Sequence, residues 1–291
     1  ISEYLISELG LENEKENILR TVKLSKADLV TNVIGEKEFT KLQGFMGSIY
    51  AEKQSENKNV ALGIFEHYLP RYQGDKLPST VEGAISGISD KIDTVVGCFS
   101  VGLKPTSSKD PYALRRAVQG IVQVILNSKL QIDYKKLINK TYEIFSEDKK
   151  ILSENVANDV IELFKQRISN VLSEKFNKEL VSYEINLENN LVKLENKLSV
   201  LLELSKTKDF EILINLLKRV KNIVKDINKE ELVSEDLFEK EEEKELFNLG
   251  IELEKLELEE FSKYIEVLLK NANVINNYFD NIKINTEDEK I

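Results

Sequence analysis

Helix-breaking residues are confined to one end of this chain. All four prolines (Pro70, Pro78, Pro105, Pro111) and eleven of the twelve glycines lie within the first 120 of 291 residues, and from Ile121 onward there is only Gly250. Proline lacks a backbone donor and glycine weakens a helix, so both mark turns and shaped connections. The first part should therefore be a compact set of short helices and the second a run of long ones, divided near Leu130.

Apolar periodicity gives the same division. It predicts helices near 2–9, 14–34, 36–54, 57–68, 80–99 and 111–127, then near 134–146, 152–175, 178–205, 207–227, 231–249 and 257–280. Thr80 is placed to cap the fifth, whose buried side is Val81, Ala84, Ile85, Ile88, Ile92, Val95, Val96 and Phe99. No sustained strand pattern and no internal repeat stands out, although Ile282 and Ile284 leave room for a short extended end. The expected fold class is all-α.

Composition excludes several classes. With 41% hydrophobic and 32% charged residues the chain suits a soluble helical protein and not a disordered one. No apolar run approaches the ~20 residues of a membrane helix. No signal peptide stands at the start and Cys98 is the only cysteine, so the expected setting is reducing and cytoplasmic. The chain begins with Ile1 and stops at Ile291 within a charged run, and is expected to be a piece of a longer protein. Its net charge of −10 comes from Lys229–Glu260, with 14 acidic and 4 basic residues; the remainder holds 37 of each and leaves room for basic patches. The charge run at Glu239–Glu245 reads as a solvated helix face or a tether.

One stretch, "VGLKPTSSKDPYALRRAVQGIVQVIL" (101–126), is locally explicit. Asp110 suits an N-cap and Pro111 the first helical position. Leu114, Ala117, Val118, Ile121, Val122 and Ile125 then form one apolar stripe, with Arg115, Arg116, Gln119 and Gln123 on the wet side. This stretch, "LSKADLVTNVIGEKEFTKLQGFMGSIYA" (24–51) and "FEHYLPRYQGDKLPSTVEGAISGISDKIDTVVGCF" (65–99) together resemble the beta subunit of the bacterial two-subunit glycyl-tRNA synthetase, with weaker support from "LLKRVKNIVKD" (216–226) and "VINNYFDNIKINTEDEKI" (274–291). The resemblance covers most of the first 126 residues and then thins to islands. It implies a C-terminal portion of that subunit: a degenerate HD-like helical domain at 1–130, then a helical linker and anticodon-binding-type domain at 131–291, cut short at its end. It also implies tRNA(Gly) and the alpha subunit as partners, with glycine activated by ATP and Mg2+ on the alpha subunit and no cofactor in this chain.

HD enzymes hydrolyse phosphate esters with metals held by histidines and aspartates. The place of the His-Asp pair here is Ala27-Asp28, and His67, Asp90 and Asp93 are the residues that echo further ligands. A single histidine does not fill such a set, so no catalytic and no metal-binding residue is expected. His67 reads as a partly buried residue fixing the turn before Leu69-Pro70. Gly44 and Gly47 in "LQGFMG" read as a close-packing pair, Phe45 and Met46 as core, and Cys98 as a small apolar filler. The expected tRNA contacts are cations. Lys104, Lys109, Arg115 and Arg116 lie within thirteen residues, and Arg71 follows Pro70. Arginine forks pair with phosphates bidentately and a helix N-terminus favours anions, although salt bridges to neighbouring carboxylates would use the same residues. Lys218, Arg219, Lys221 and Asn222 form a second set on a helix whose apolar side is Ile212, Leu213, Leu216, Leu217, Val220 and Ile223; Asn222 is placed to read an unstacked base, and a solvated lysine face is the alternative. The reading carried forward is a tRNA-binding region without an active site. Its rivals are an HD-type phosphohydrolase and a structural module for subunit assembly.

Overall fold

The helices are α1 (Ser2–Leu9), α2 (Lys15–Leu24), α3 (Asn32–Gly35), α4 (Phe45–Lys53), α5 (Lys58–Glu66), α6 (Val81–Ser100), α7 (Leu114–Asn127), α8 (Tyr134–Glu147), α9 (Val156–Leu172) and α10 (Lys178–Glu184), followed by α11 (Leu191–Leu204), α12 (Asp209–Val224), α13 (Glu241–Glu254), α14 (Phe261–Lys270) and α15 (Ala272–Asn281). They come from a computed structural model that describes residues 1–106, 109–147, 155–224, 233, 235–256 and 261–282. Among these residues there is no strand, only an isolated bridge between Asp133 and Asn190. No described helix is long and apolar enough to cross a membrane. The chain is all-helical, as expected.

Two compact units are present, Ile1–Glu195 and Asn196–Ile291. The expected division near Leu130 falls inside the first, because α8 and α9 pack on α6. In the second unit Leu213, Leu216, Leu249, Ile265, Leu268, Ala272 and Ile275 close a core of their own.

The first unit is organised around α6. Every residue from Glu82 to Ser89 is buried, because α1, α2, α5, α7, α8 and α9 all pack against this helix. Small residues make that crowding possible. A Cβ on Gly83 would lie 2.5 Å from Glu66 Cβ, and one on Gly87 would lie 2.8 Å from the His67 carbonyl oxygen. The helix starts as its sequence predicts, with the Gly83 N–H donating to Thr80 Oγ1 at 3.1 Å. The buried Glu66 carboxylate supplies the stronger anchor. Its Oε1 accepts from the Ser79 N–H and hydroxyl at 2.9 and 2.7 Å, and its Oε2 from the Thr80 N–H and hydroxyl at 2.9 and 2.6 Å.

Several expected helices are broken, by a polar side chain or by a backbone angle. The one over 14–34 stops after Leu24, where Ser25 Oγ donates to the Val22 carbonyl; a 3-10 turn (Ala27–Val30) and α3 follow. The one over 36–54 is a 3-10 turn (Lys37–Leu42) and then α4, separated by Gly44 at φ 79°. The one over 178–205 divides at Asn190, whose Oδ1 accepts from the Val192 and Lys193 N–H groups and starts α11. The one over 257–280 divides at Asn271 into α14 and α15. Within 111–127, α7 begins at Leu114 because Ala113 takes a left-handed φ of 57°; Asp110 still caps it, accepting from the Leu114 and Arg115 N–H groups at 2.8 and 3.2 Å. Phe45 is not core: it is 48% exposed, edge-on to Phe65. Parts of the helices expected over 152–175, 207–227, 231–249 and 257–280, and Ile284, lie outside the described residues.

Glu66→Gln keeps the shape but turns an amide donor toward two donors. The expected outcome is a loss of about 1.5–3 kcal/mol, the worth of a hydrogen bond to a charged group, read as a lower urea midpoint with an unchanged slope.

Candidate nucleic-acid interface

A short segment laid on α7 forms the main feature of the first unit's surface. Pro70 packs where α7 has no side chain: a Cβ on Gly120 would meet Pro70 Cδ at 3.4 Å. The next residue locks the segment. The Arg71 N–H donates to Asp75 Oδ2 at 2.8 Å, and its guanidinium donates to the Lys41 and Gln43 carbonyls at 3.3 and 3.0 Å. The same guanidinium lies over the rings of Phe65 and Tyr68, at 5.5 and 5.4 Å. Arg71 is thus committed to carbonyls and rings. Between this segment and α7 lies a cleft of about 160 Å³, lined by Pro70, Arg71, Tyr72, Gln73, Arg116, Gln119 and Gln123.

The cations of the 104–116 run divide into two kinds. Lys104 pairs with Asp159 on α9. The Arg115 guanidinium donates to the Thr106 carbonyl and closes the loop before the helix. Its charge, after burial, also helps lower the pKa of Arg167. Lys109 and Arg116, by contrast, are exposed, with no ion pair among the described residues. In the second unit Arg219 is spent internally: it donates to Asn276 Oδ1 at 3.2 Å, pairs with Asp280 and lies over the Phe279 ring at 5.3 Å. Lys218, Lys221 and Asn222 stay exposed on α12. Ile212 and Leu217, counted on the apolar side of that helix, are also exposed, because only Leu213 and Leu216 face the core squarely. Sequence reasoning placed Gln119 and Gln123 on the wet face of α7 but gave them no role, and it passed over Tyr72. The signal available was the Arg-x-x-Gln-x-x-x-Gln spacing, which puts three polar side chains on one helical face.

Behind the segment lies a cluster of charged and titratable groups. His67 is 0% exposed. Its Nδ1 lies 2.6 Å from the Ile64 carbonyl oxygen, which only accepts, so Nδ1 carries the proton and Nε2 a lone pair. Lys26 reaches in from the surface, its Nζ 3.5 Å from that Nε2 and 2.9 Å from Asp90 Oδ2. Lys91 donates to the His67 and Leu69 carbonyls at 2.8 and 3.0 Å and clamps the segment onto α6. Burial first, then the Lys26 charge, pushes the His67 pKa down to about 4; burial likewise brings Lys91 down to about 8. Asp28 is buried, and its Oδ2 accepts from the Gly44 and Gly47 N–H groups at 2.6 and 3.1 Å. The two glycines of "LQGFMG" therefore serve this carboxylate as well as packing. These residues do not fit a metal: the cation between His67 and Asp90 is the Lys26 ammonium, and no group of three or more His, Cys, Asp or Glu among the described residues is arranged to hold an ion.

A family model described as "Glycyl-tRNA synthetase beta subunit" matches residues 1–185. The chain belongs to the glycyl-tRNA synthetase beta-subunit family. It is similar to the "Glycine--tRNA ligase beta subunit" of Halalkalibacterium halodurans, 34% identical over 99% of this chain and 43% of that protein. The subunit of the same name from Clostridioides difficile is 35% identical over 100% of this chain and 43% of its own length. That of Buchnera aphidicola is 37% identical over 95% of this chain and 40% of its own. The chain thus spans about two fifths of the length of these curated relatives, matching their C-terminal portion.

In this member of the beta-subunit family, the neutral His67 ring ties stability to pH. The unfolded chain protonates this residue near 6.5 and the folded chain only near about 4. Its contribution is therefore complete above pH 6.5 and lost as pH falls toward 4. At about pH 5 the expected loss is about 2 kcal/mol relative to about pH 7. His67→Asn, which keeps a donor for the Ile64 carbonyl, should show a smaller loss in urea unfolding at the two pH values.

Proposed function

We propose that this chain is the tRNA-binding portion of a glycine–tRNA ligase beta subunit. It docks tRNA(Gly) while the alpha subunit attaches glycine, using ATP and Mg2+ bound there. The observation that carries the reading is Arg116, an exposed arginine with no acidic partner among the described residues, beside a cleft that no acid lines, in a chain of this family. Lys109 and, on the second unit, Lys218, Lys221 and Asn222 supply further outward-facing donors. Contacts of this kind hold phosphates and position the RNA. In this reading residues 1–130 are a degenerate HD-like domain and residues 131–291 are of the anticodon-binding type.

The chain carries no catalytic residue in this reading. Ala27 offers no ligand, Asp28 Oδ2 is committed to two backbone amides, and His67 and Asp90 face Lys26. A phosphohydrolase would need those lone pairs free for a metal. A protein-contact role has its own support. Leu29, Val30, Phe39 and Phe45 are exposed apolar residues close in sequence, with Val30 at 89% exposure, and suit docking against the alpha subunit.

Arg116→Ala is expected to weaken tRNA binding by about 1 kcal/mol or less, as for an exposed charge pair. The slope of affinity against salt should become shallower by about 1, with no dependence on tRNA sequence. Tm should stay unchanged, since the apolar stripe of α7 is untouched. Filter binding at several salt concentrations measures this, and unchanged affinity here and in Lys218→Ala and Lys221→Ala would remove the docking reading.

A further inference from the structure

The cleft beside Arg116 has a chemistry that phosphate binding alone does not require. Arg116, Gln119 and Gln123 follow one another on a single face of α7, a row roughly 10 Å long at 1.5 Å per residue. Phosphate oxygens only accept hydrogen bonds, whereas a glutamine amide both donates and accepts. Base edges also present both kinds of group. Across the cleft stands Tyr72, 65% exposed. Its ring has no aromatic or cationic neighbour among the described residues. The backbone under it is fixed nonetheless. Pro70 lies against Gly120, Arg71 is bonded to three backbone or carboxylate partners, and the Asp75 N–H donates to the Tyr72 carbonyl at 3.2 Å. A bare aromatic face on a rigid support is the element on which single-stranded nucleic acids stack.

Size and charge narrow the occupant. At about 160 Å³ the cleft is smaller than the roughly 300 Å³ at which enclosed ligand sites begin. It suits one planar unit of a polymer held elsewhere. No acid lines it, and Arg116 stands at the first turn of α7 with its charge uncompensated. A duplex keeps its bases stacked and would reach only Arg116.

The geometry points to a pocket for one unpaired nucleotide of an RNA, its base stacked on Tyr72, its edge bonded by Gln119 and Gln123, and its phosphate on Arg116. This rests on the tRNA-binding reading and makes it specific: the face takes unstacked nucleotides, not a helix. The chain has no tryptophan, so Tyr72→Trp introduces a single indole at the stacking position. The probes are a short mixed-sequence single-stranded oligoribonucleotide, a blunt RNA duplex and whole tRNA. The single strand should quench the indole and the duplex should not. Tyr72→Ala should weaken single-strand binding about tenfold, within the range for loss of one base stack, and Tyr72→Phe should restore it, with the same Tm throughout. Gln119→Ala with Gln123→Ala should narrow the difference in affinity between oligonucleotides of different base. Equal quenching by duplex and single strand, or a Tyr72→Ala variant that binds the single strand as the parent does, would overturn the pocket while tRNA binding stood. If neither tRNA nor the oligonucleotide binds, the wider reading falls with it.

Discussion

Four hydrogen bonds converge on the Glu66 carboxylate, and the first unit depends on them. The carboxylate sits at the last residue of α5 and holds Ser79 and Thr80, the two residues that lead into α6. The segment between them leaves from one side of this side chain and returns to the other. Both ends of a twelve-residue excursion (67–78) are thereby fixed at one buried anion, which removes most of the freedom a loop of that length would keep. Lys91 clamps the near end through the His67 and Leu69 carbonyls, and Arg71 ties the middle to Lys41, Gln43 and Asp75. The cleft against α7 is rigid because its irregular wall is bonded along its length.

The same logic separates cations that build from cations that face outward. Lys104, Arg115 and Arg219 each meet an acid or a carbonyl from another element, and Arg71 meets carbonyls and rings. Arg116, Lys109, Lys218 and Lys221 meet none among the described residues. Neighbours in sequence thus have opposite roles: Arg115 points back over the loop it closes, and Arg116, about 100° further around the helix, points out.

Periodicity and capping were legible where a helix obeyed only its own sequence. The stripe of α7, the Thr80 cap of α6 and the all-helical class were readable in that way. The breaks at Ser25, Gly44 and Asn190 were not, because each depends on a side chain or a backbone angle that competes with the helix without disturbing its apolar period. Asp28 shows the limit most clearly. As sequence it is one acid in a helical pattern; in the fold it turns inward to two amides sixteen and nineteen residues away, and no local rule announces that pairing. Basic residues were equally ambiguous, since a phosphate and a carbonyl ask for the same donors. Tyr72 was hidden because exposure and an empty ring face are tertiary properties.

Lys26 has a consequence of another kind. A mobile ion between His67 and Asp90 would come and go with its concentration in solution. An ammonium delivered on a side chain cannot leave; its effective concentration is set by the tether, here a four-carbon stem anchored at the end of α2 and steadied over the Tyr68 ring at 4.4 Å. The shape of this corner, and of the segment resting on it, is therefore held by a charge that the chain itself supplies.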